Sequence, residues 1–309
     1  MQTANKLGDL IKKVSDETFA EFADKKLLPT DLAISLIDLT NISDLSDQTN
    51  TNGKSDIRVK TNLEAAADYR GEESIYPASV VKLFYLVATH QWLEDKKIIE
   101  TEELKRAYRD MIVDSSNDAT NYIIDVLTGT TSGPELSEKE IALWSKKRNV
   151  VNEYFQKKGF KNINVNQKVW GDGSYGRDRI FVGKNFEARN KLTTNATARL
   201  LAEIATGQCI NATRSKAMMD LLVRDFSKAS DDIDNQATGF MGSCLPKNAK
   251  LWSKAGWMNT ARHDAAYIEL PNGIRFVLVV FISNHGKEYW LLPTIAAKVL
   301  RSLEAIHAK

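Results

Sequence analysis

A serine and a lysine three residues apart, Ser79 and Lys82, stand where a helix is expected to begin. They follow the loop Tyr76-Pro77-Ala78 and lead into the apolar run 80–87. On a helix, residues three apart lie on one face. Backbone N–H groups at a helix N-terminus favour developing negative charge, and a desolvated lysine can accept a proton. The pair predicts an activated serine nucleophile, although the pattern alone is more often a helix cap followed by a surface lysine.

Two further short patterns follow in the chain. Ser115-Ser116-Asn117 falls on the turn between two predicted helices and is the only Ser-x-Asn in the sequence. Lys254-Ala255-Gly256 falls on a predicted strand. Lys-x-Gly also occurs at 6–8 and 157–159, so only its position on a strand makes the copy at Lys254 informative.

This order of Ser-x-x-Lys, Ser-x-Asn and a strand-borne Lys-x-Gly resembles the penicillin-recognising serine acyl enzymes. That group comprises the class A β-lactamases and the penicillin-binding transpeptidases and carboxypeptidases. The resemblance implies that Ser79 forms an acyl-enzyme, that Lys82 activates it, and that Ser115 relays a proton to the leaving nitrogen. It implies an oxyanion hole made by the backbone N–H groups of Ser79 and Trp257, a kind of site that contributes several kcal/mol.

The same resemblance implies a set of substrate-binding residues. Asn117 would bind the amide of the substrate's side chain, and Lys254 would supply positive charge. Ala255 and Gly256 would leave room for substrate along the strand edge. A cation for the substrate carboxylate is expected from Arg262 or His263 on the next strand, and the interpretation as an ordinary strand charge and imidazole stays equally open.

One expected residue has no counterpart. Class A β-lactamases keep the glutamate that activates the deacylating water in a Glu-x-x-x-Asn setting, and no such pattern occurs in the corresponding region. Glu187 comes nearest, but Asn190 follows it one residue too early. Asp172 and Asp178 are other candidates, each more typical of a loop or salt-bridge residue. Deacylation is therefore expected to be slow.

The periodicity of apolar residues predicts the helices and strands that carry these residues. The predicted helices are 7–27, 80–97, 102–113, 119–127, 138–158, 194–206, 214–226 and 290–307. The predicted strands are 31–39, 250–257, 264–270 and 274–283, the last two joined by a Pro-Asn-Gly turn. Polar loops are predicted over 43–56 and over the Gly- and Asp-rich stretch 162–183.

This element order predicts an α/β (α+β) fold. Its antiparallel sheet is built from both chain ends, with flanking helices and an inserted all-helical lobe. We expect a single catalytic domain over 1–309, with an α/β sub-lobe formed by about 1–75 and 246–309. The all-α sub-lobe is expected over about 76–245.

Composition narrows the function classes. A net charge of +2 gives no indication of nucleic-acid or anionic-membrane binding, and no apolar run approaches the roughly 20 residues of a membrane span. Four histidines and two cysteines without metal-ligand spacing predict no metal and no cofactor, with Cys209 and Cys244 as buried thiols, although one bridge stays open. We expect a monomer, cytoplasmic if Met1 is the native start and periplasmic or secreted if a leader was removed.

The sequence thus predicts a serine hydrolase that attacks β-lactam-like or peptidoglycan-like amides through Ser79. Two alternatives stay open. One is a DD-peptidase or small esterase, and the other is a penicillin-binding sensor that acylates without turnover.

Overall fold

A five-stranded antiparallel sheet forms the centre of the computed structural model, which describes residues 2–41, 65–171 and 173–308. Its strands are β1 (Leu32–Asp38), β2 (Ala66–Tyr69), β3 (Lys250–Met258), β4 (Ala261–Glu269) and β5 (Arg275–Ser283). They lie in the order β2-β1-β5-β4-β3. Leu32 pairs with Ile282 and Asp38 with Phe276, so the first strand lies beside the last. The predicted sheet built from both chain ends is confirmed, and β3 forms one edge.

Ten α-helices complete the described part of the chain. They are α1 (Gln2–Glu21), α2 (Lys82–Glu94), α3 (Glu102–Val113), α4 (Asn117–Thr128), α5 (Glu138–Arg148), α6 (Val150–Lys157), α7 (Gly176–Val182), α8 (Thr194–Ala205), α9 (Ala212–Leu222) and α10 (Leu291–His307). Helices α2 to α9 all fall between β2 and β3 in the chain, as the predicted helical insertion requires.

The two faces of the sheet bury different cores. Leu251 and Ala255 of β3 pack with α1 and α10, while Trp252 packs against the core that contains α2 and α8. Because successive strand residues point to opposite faces, Lys254, Gly256 and Met258 share the face of Trp252. That face is turned toward the helical insertion and carries the site described below.

Several elements differ from the sequence-based expectation. The helix predicted over 138–158 is two helices, α5 and α6, that meet at Asn149. The Asn149 side chain donates to the carbonyl of Ser145, a local hydrogen bond that competes with the helical pattern. The predicted loop 162–183 contains the short helix α7, and β2 was missed because four residues are too few for a clear alternation. The predicted loop 43–56 and Asp172 lie outside the described residues.

The two cysteines are not joined by a disulfide bond. Cys209 is buried, Cys244 is half-buried, and both are free thiols. Burial raises the pKa of each thiol to about 12, so neither is an activated nucleophile near neutral pH. Within the described ranges, no helix is long and apolar enough to cross a membrane.

Candidate active site

Ser79 lies in a tight turn immediately before α2. The turn Ala78–Val81 is a 3-10 helix, and the α-helix itself begins at Lys82, two residues after the predicted start at Val80. Ala78 has a φ of 46°, in the left-handed region that is uncommon for a residue with a side chain. Such conformations persist where the surroundings impose them, and they cluster at functional sites.

The neighbour that imposes this position is Gly256 of β3. A Cβ built at Gly256 would lie 2.7 Å from the backbone nitrogen of Ser79 and 2.8 Å from the carbonyl oxygen of Pro77. No side chain fits there, so glycine lets the strand and the serine turn approach backbone to backbone. Ser79 itself is half-buried, so part of the residue remains accessible to solvent.

Lys82 is fully buried and points at the start of α4. Its ammonium donates to the backbone carbonyl of Ser115, to Ser115 Oγ at 3.1 Å and to Asn117 Oδ1 at 2.8 Å. Burial lowers the pKa of the Lys82 ammonium to about 7, because desolvation disfavours the charged form. A large neutral fraction therefore exists at physiological pH, and a neutral amine can accept a proton.

Ser115 joins the two lysines. Its Oγ accepts hydrogen bonds from Lys82 at 3.1 Å and from Lys254 at 3.0 Å, which leaves the hydroxyl proton free for another acceptor. The φ of Ser115 is 55°, also in the left-handed region, so the turn before α4 aims this hydroxyl between the amines. Ser116, the next residue, caps α4 by accepting from the N–H of Ala119.

Asn117 begins α4 at the exposed side of this group. Its Oδ1 is occupied by Lys82, so the two N–H donors of its amide remain for a ligand carbonyl. The chain of contacts thus runs from Lys82 through Ser115 to Lys254, with Asn117 beside it.

Lys254 is a buried cation on β3. It donates to Ser115 Oγ, to its neighbour's carbonyl at Ala255 and to the side chain of Gln236. Burial lowers its pKa well below the usual lysine value, and the nearby charges of Lys82 and Arg224 act in the same direction. An anionic ligand would relieve this repulsion, so the surroundings of Lys254 favour negative charge.

Two residues that support Lys254 were not found from the sequence. Gln236 links the lysine to the carbonyl of Val113 through its amide, and Arg224 donates to the carbonyls of Ile112 and Ser253. Gln236 lies in a stretch without a motif or a regular hydrophobic period, and Arg224 lies in the last turn of the predicted helix 214–226, which ends at Leu222 in the structure. The sequence therefore carries no signal that either residue supports Lys254. Together they fix β3 against the end of α3.

The direction of backbone groups along β3 identifies a second N–H donor. The backbone carbonyls of Leu251, Ser253 and Ala255 accept hydrogen bonds from Arg224 or Lys254. In an antiparallel strand the N–H and the carbonyl of one residue point to the same side, so the backbone groups of these alternate residues point away from β4. By the same alternation the Trp257 N–H lies on the free edge of the sheet. It adjoins Gly256, which touches the turn of Ser79. Both proposed oxyanion donors therefore border one gap.

Arg262 and His263 are placed differently from the expected substrate cation. Arg262 pairs with Trp257 on the opposite face of the sheet, where its guanidinium binds Asp234 at 2.9 Å and packs over Phe240. His263 lies under the serine turn: it accepts from the Ile282 N–H through Nδ1, so its ring proton is on Nε2 and is donated to the carbonyl of Tyr76. Burial lowers the pKa of His263 to about 4, so it is a neutral support near pH 7.

A long loop closes the remaining side of the site. We call residues 164–191 the closing loop, because Asn164 and Lys191 exchange two backbone hydrogen bonds at its base. Asn121, one helical turn beyond Asn117, holds the loop at Val169: its side chain donates to the Val169 carbonyl and accepts from the Val169 N–H. The loop residue fixed closest to Asn117 in this way is apolar.

The carboxylates of the closing loop that the structure describes point elsewhere. Glu187 is exposed and accepts from the N–H of Asn185, and hydrogen bonds from backbone N–H groups lower its pKa. Asp178 is fully buried and pairs with Arg148 at 3.1 Å. Neither is joined by a hydrogen bond to the Lys82–Ser115–Lys254 chain. Asn190 holds the loop by accepting from the N–H groups of Asn166 and Gln167.

No group of three or more His, Cys, Asp or Glu side chains able to hold a metal ion occurs among the described residues. The groups that the described residues bring together at this site are a serine hydroxyl, two amines of lowered pKa and backbone N–H donors.

Comparison with solved structures places this geometry among known folds. The chain is similar to a β-lactamase from Sphaerobacter thermophilus DSM 20745 (15% identity, TM-score 0.64, covering 96% of this chain and 97% of that one). It is also similar to a class A β-lactamase from Bacteroides cellulosilyticus DSM 14838 (14%, 0.62, 96% and 99%). A structure of PBP-A matches at 16% identity with a TM-score of 0.59, covering 89% and 90%. At such identities the likeness establishes the fold.

The family follows from the sequence itself. Residues 100–302 match the model of the β-lactamase enzyme family, about two thirds of the chain, which therefore belongs to that family. The matched range includes Ser115, Asn117 and Lys254 but begins after Ser79 and Lys82. No curated protein matches the chain.

Proposed function

We propose that this member of the β-lactamase enzyme family forms an acyl-enzyme through Ser79 with β-lactam-like or peptidoglycan-like amides, and deacylates slowly. The observation that carries the proposal is the hydrogen-bonded chain of Lys82, Ser115 and Lys254 beside the turn of Ser79. It supplies a base, a proton path and a cation within one buried group.

In the proposed acylation these residues act one after another. Ser79 Oγ attacks the carbonyl carbon while its proton passes to the neutral amine of Lys82. The N–H groups of Ser79 and Trp257 bind the oxyanion of the tetrahedral intermediate. The C–N bond then breaks, and the Ser115 hydroxyl gives its proton to the leaving nitrogen and regains one from Lys82. Lys254 holds an anionic group of the leaving part by charge.

Slow deacylation is supported by the closing loop. Water attack on an ester needs a general base, which typically contributes about 10²–10⁴-fold. Asn121 holds Val169, an apolar residue, on the Asn117 side of the loop, and the described carboxylates Asp178 and Glu187 are engaged elsewhere. An acyl adduct should therefore accumulate.

Intact-mass spectrometry after addition of benzylpenicillin tests this function. We expect an adduct of the mass of the drug that forms within the assay and decays slowly. Ser79→Ala should form none, while remaining folded because a turn hydroxyl contributes only about 1 kcal/mol. Adduct formation by Ser79→Ala would overturn the assignment of the nucleophile. Fast multiple turnover without an adduct would overturn the slow deacylation.

The second candidate, a DD-peptidase or small esterase, is favoured by the same observation: among the described residues, Asn121 holds an apolar residue and not a carboxylate on the Asn117 side of the closing loop. Among the structural neighbours, a PBP-A variant is described as an acyl-enzyme complex with penicillin G (16% identity, TM-score 0.63). Release of D-alanine from an acyl-D-Ala-D-Ala peptide, or hydrolysis of its thioester analogue, would identify this activity. A persistent penicillin adduct with neither reaction would identify a sensor.

A further inference from the structure

Arg189 of the closing loop reaches the mouth of the site from the side opposite Lys254. Its guanidinium carbon lies over the ring of Tyr76, 3.4 Å from the ring centre, and one of its nitrogens is 4.0 Å from the sulfur of Met258. Tyr76 is three residues before Ser79, and Met258 is two residues beyond Gly256. The arginine therefore bridges the two segments that meet at the nucleophile.

The backbone fixes this position. Ile75 and Leu192 exchange two backbone hydrogen bonds, which ties the chain before Ser79 to the end of the closing loop. The carbonyl of Arg189 accepts from Asn164 at 2.9 Å, and its N–H donates to the carbonyl of Phe186. The side chain starts from an anchored backbone and stacks on a half-buried ring, so its orientation is restrained.

The charge of Arg189 is available to a ligand. Among the described residues it forms no ion pair with a carboxylate, and the contacts that hold it are a ring face and a thioether. Stacking on a ring occupies the flat face of a guanidinium and leaves the N–H groups at its edge free to donate. The side chain is half-buried, which limits screening by solvent.

The two cations lie on opposite sides of Ser79 along one strand face. Lys254, Gly256 and Met258 share that face, and Gly256 touches the serine turn. Four residues of strand span about 13 Å, so Lys254 and the Met258 end are separated by roughly this distance with the nucleophile between them. Ser115 and Lys254 would serve the leaving group, which assigns the Met258 end to the acyl part of the substrate.

We propose that Arg189 selects substrates that carry a second carboxylate on the acyl side of the scissile bond. This assignment rests on the proposed function of Ser79. The substrate class is an extended amide with one carboxylate on the leaving part, facing Lys254, and another on the acyl part, facing Arg189. An acidic peptide with a free C-terminal carboxylate has this charge pattern.

A matched pair of penicillins tests the proposal. Benzylpenicillin and carbenicillin share the ring carboxylate and differ by one carboxylate on the acyl side chain. The second-order rate constant of acylation would be measured by intact mass for both drugs with the unmodified protein, Arg189→Gln and Arg189→Lys. Arg301→Gln, an exposed arginine on α10, makes the same charge change far from the site.

We expect Arg189→Gln to lower the ratio of the carbenicillin to the benzylpenicillin rate about fivefold, as for a half-exposed charge pair. Arg189→Lys should retain part of the ratio, Arg301→Gln all of it, and the effect should shrink at high salt. Equal loss for both drugs would overturn the proposal and make Arg189 a support of the Tyr76 turn. An unchanged ratio would also overturn it while leaving Ser79 acylation intact. Absence of any adduct in the unmodified protein would overturn the proposed function and, with it, this substrate class.

Discussion

The two lysines of the site differ from surface lysines in one physical respect, the loss of water around their ammonium groups. Lys82 and Lys254 are both fully buried, and both hydrogen bond to Ser115 Oγ. No carboxylate is hydrogen-bonded to either amine among the described residues, so burial lowers both pKa values. Burial of this kind destabilises the protonated form of Lys82 and thereby supplies a proton acceptor near neutral pH.

The rate of acylation should therefore rise with pH through about 7 and level off above about 8. The reason is that the neutral form of Lys82, whose pKa is lowered to about 7, is the proposed base. The measurement is the initial rate of adduct formation between pH 5.5 and 9. Lys82→Arg, which stays protonated, should remove the rise and slow acylation by about 10²–10⁴-fold. A flat profile through this range would contradict the role of Lys82 as a base.

The same shift affects stability. Since the pKa of Lys82 is lower in the folded than in the unfolded state, the folded state binds fewer protons between pH 7 and the ordinary lysine pKa of 10.5. Burial of Lys82 therefore destabilises the fold most below pH 7, and this cost decreases as pH rises toward 10.5.

At the scale of elements, the site is the junction of one strand edge, two helix starts and one loop. β3 brings Lys254 and Gly256, the turn before α2 brings Ser79, and the turn before α4 brings Ser115. Ser79 and Ser115 lie in short turns before helices, where the backbone is free to adopt the left-handed conformations of Ala78 and Ser115, whereas Lys254 and Gly256 lie within β3.

Gly256→Ala should impair acylation far more than stability. The added Cβ would lie 2.7–2.8 Å from backbone atoms of Pro77, Ser79 and Val80, so the serine turn must move away from β3 and from the Trp257 N–H. Displacing one oxyanion donor costs about 10²–10³-fold, which predicts a loss of this size in the acylation rate.

The control is Gly8→Ala, because Gly8 lies in α1 with no atom within 4 Å of the added Cβ. This change should leave acylation unchanged and raise the free energy of unfolding by about 0.5–1 kcal/mol. Equal acylation rates for Gly256→Ala and the unmodified protein would refute the close approach of strand and turn.

At the scale of the whole molecule, the sheet separates a structural core from a core that borders the site. The face covered by α1 and α10 buries residues such as Leu7, Ile11 and Leu292, and none of the proposed catalytic side chains lies on it. The opposite face, with α2 and α8, carries Lys82 and Lys254.

Ile11→Ala should therefore lower stability without slowing the chemistry. Ile11 is 1% exposed, and truncation of such a side chain costs about 2–5 kcal/mol of unfolding free energy through lost burial and a cavity. Chemical denaturation measures that change, and the acylation rate constant at 20 °C should stay within about twofold. Leu143→Ala, at a 61% exposed position, should change stability by less than about 0.5 kcal/mol. Slower acylation by folded Ile11→Ala would show that the two cores are coupled.

Periodicity in the sequence predicts most of the helices and strands, and short motifs along the chain indicate the residues of the site. Helix and strand periods predicted the sheet from both chain ends and placed Lys254-Ala255-Gly256 on a strand, which the structure locates at one edge of the sheet. The sequence also indicated Ser79, Lys82, Ser115 and Asn117 by type and spacing. These are local properties, because periodicity and short motifs depend on neighbours in the chain.

Which distant groups meet at the site depends on how the elements pack, and the sequence pattern does not contain this information. Arg262 points to the opposite face, and His263 is a neutral support, because strand pairing sets the register and hence the direction of each side chain. Gln236, Arg224, Val169 and Arg189 joined the site through contacts between segments far apart in the chain, which leave no periodic trace in it. The lowered pKa of Lys82 likewise arises from burial, a property of packing that no stretch of sequence contains.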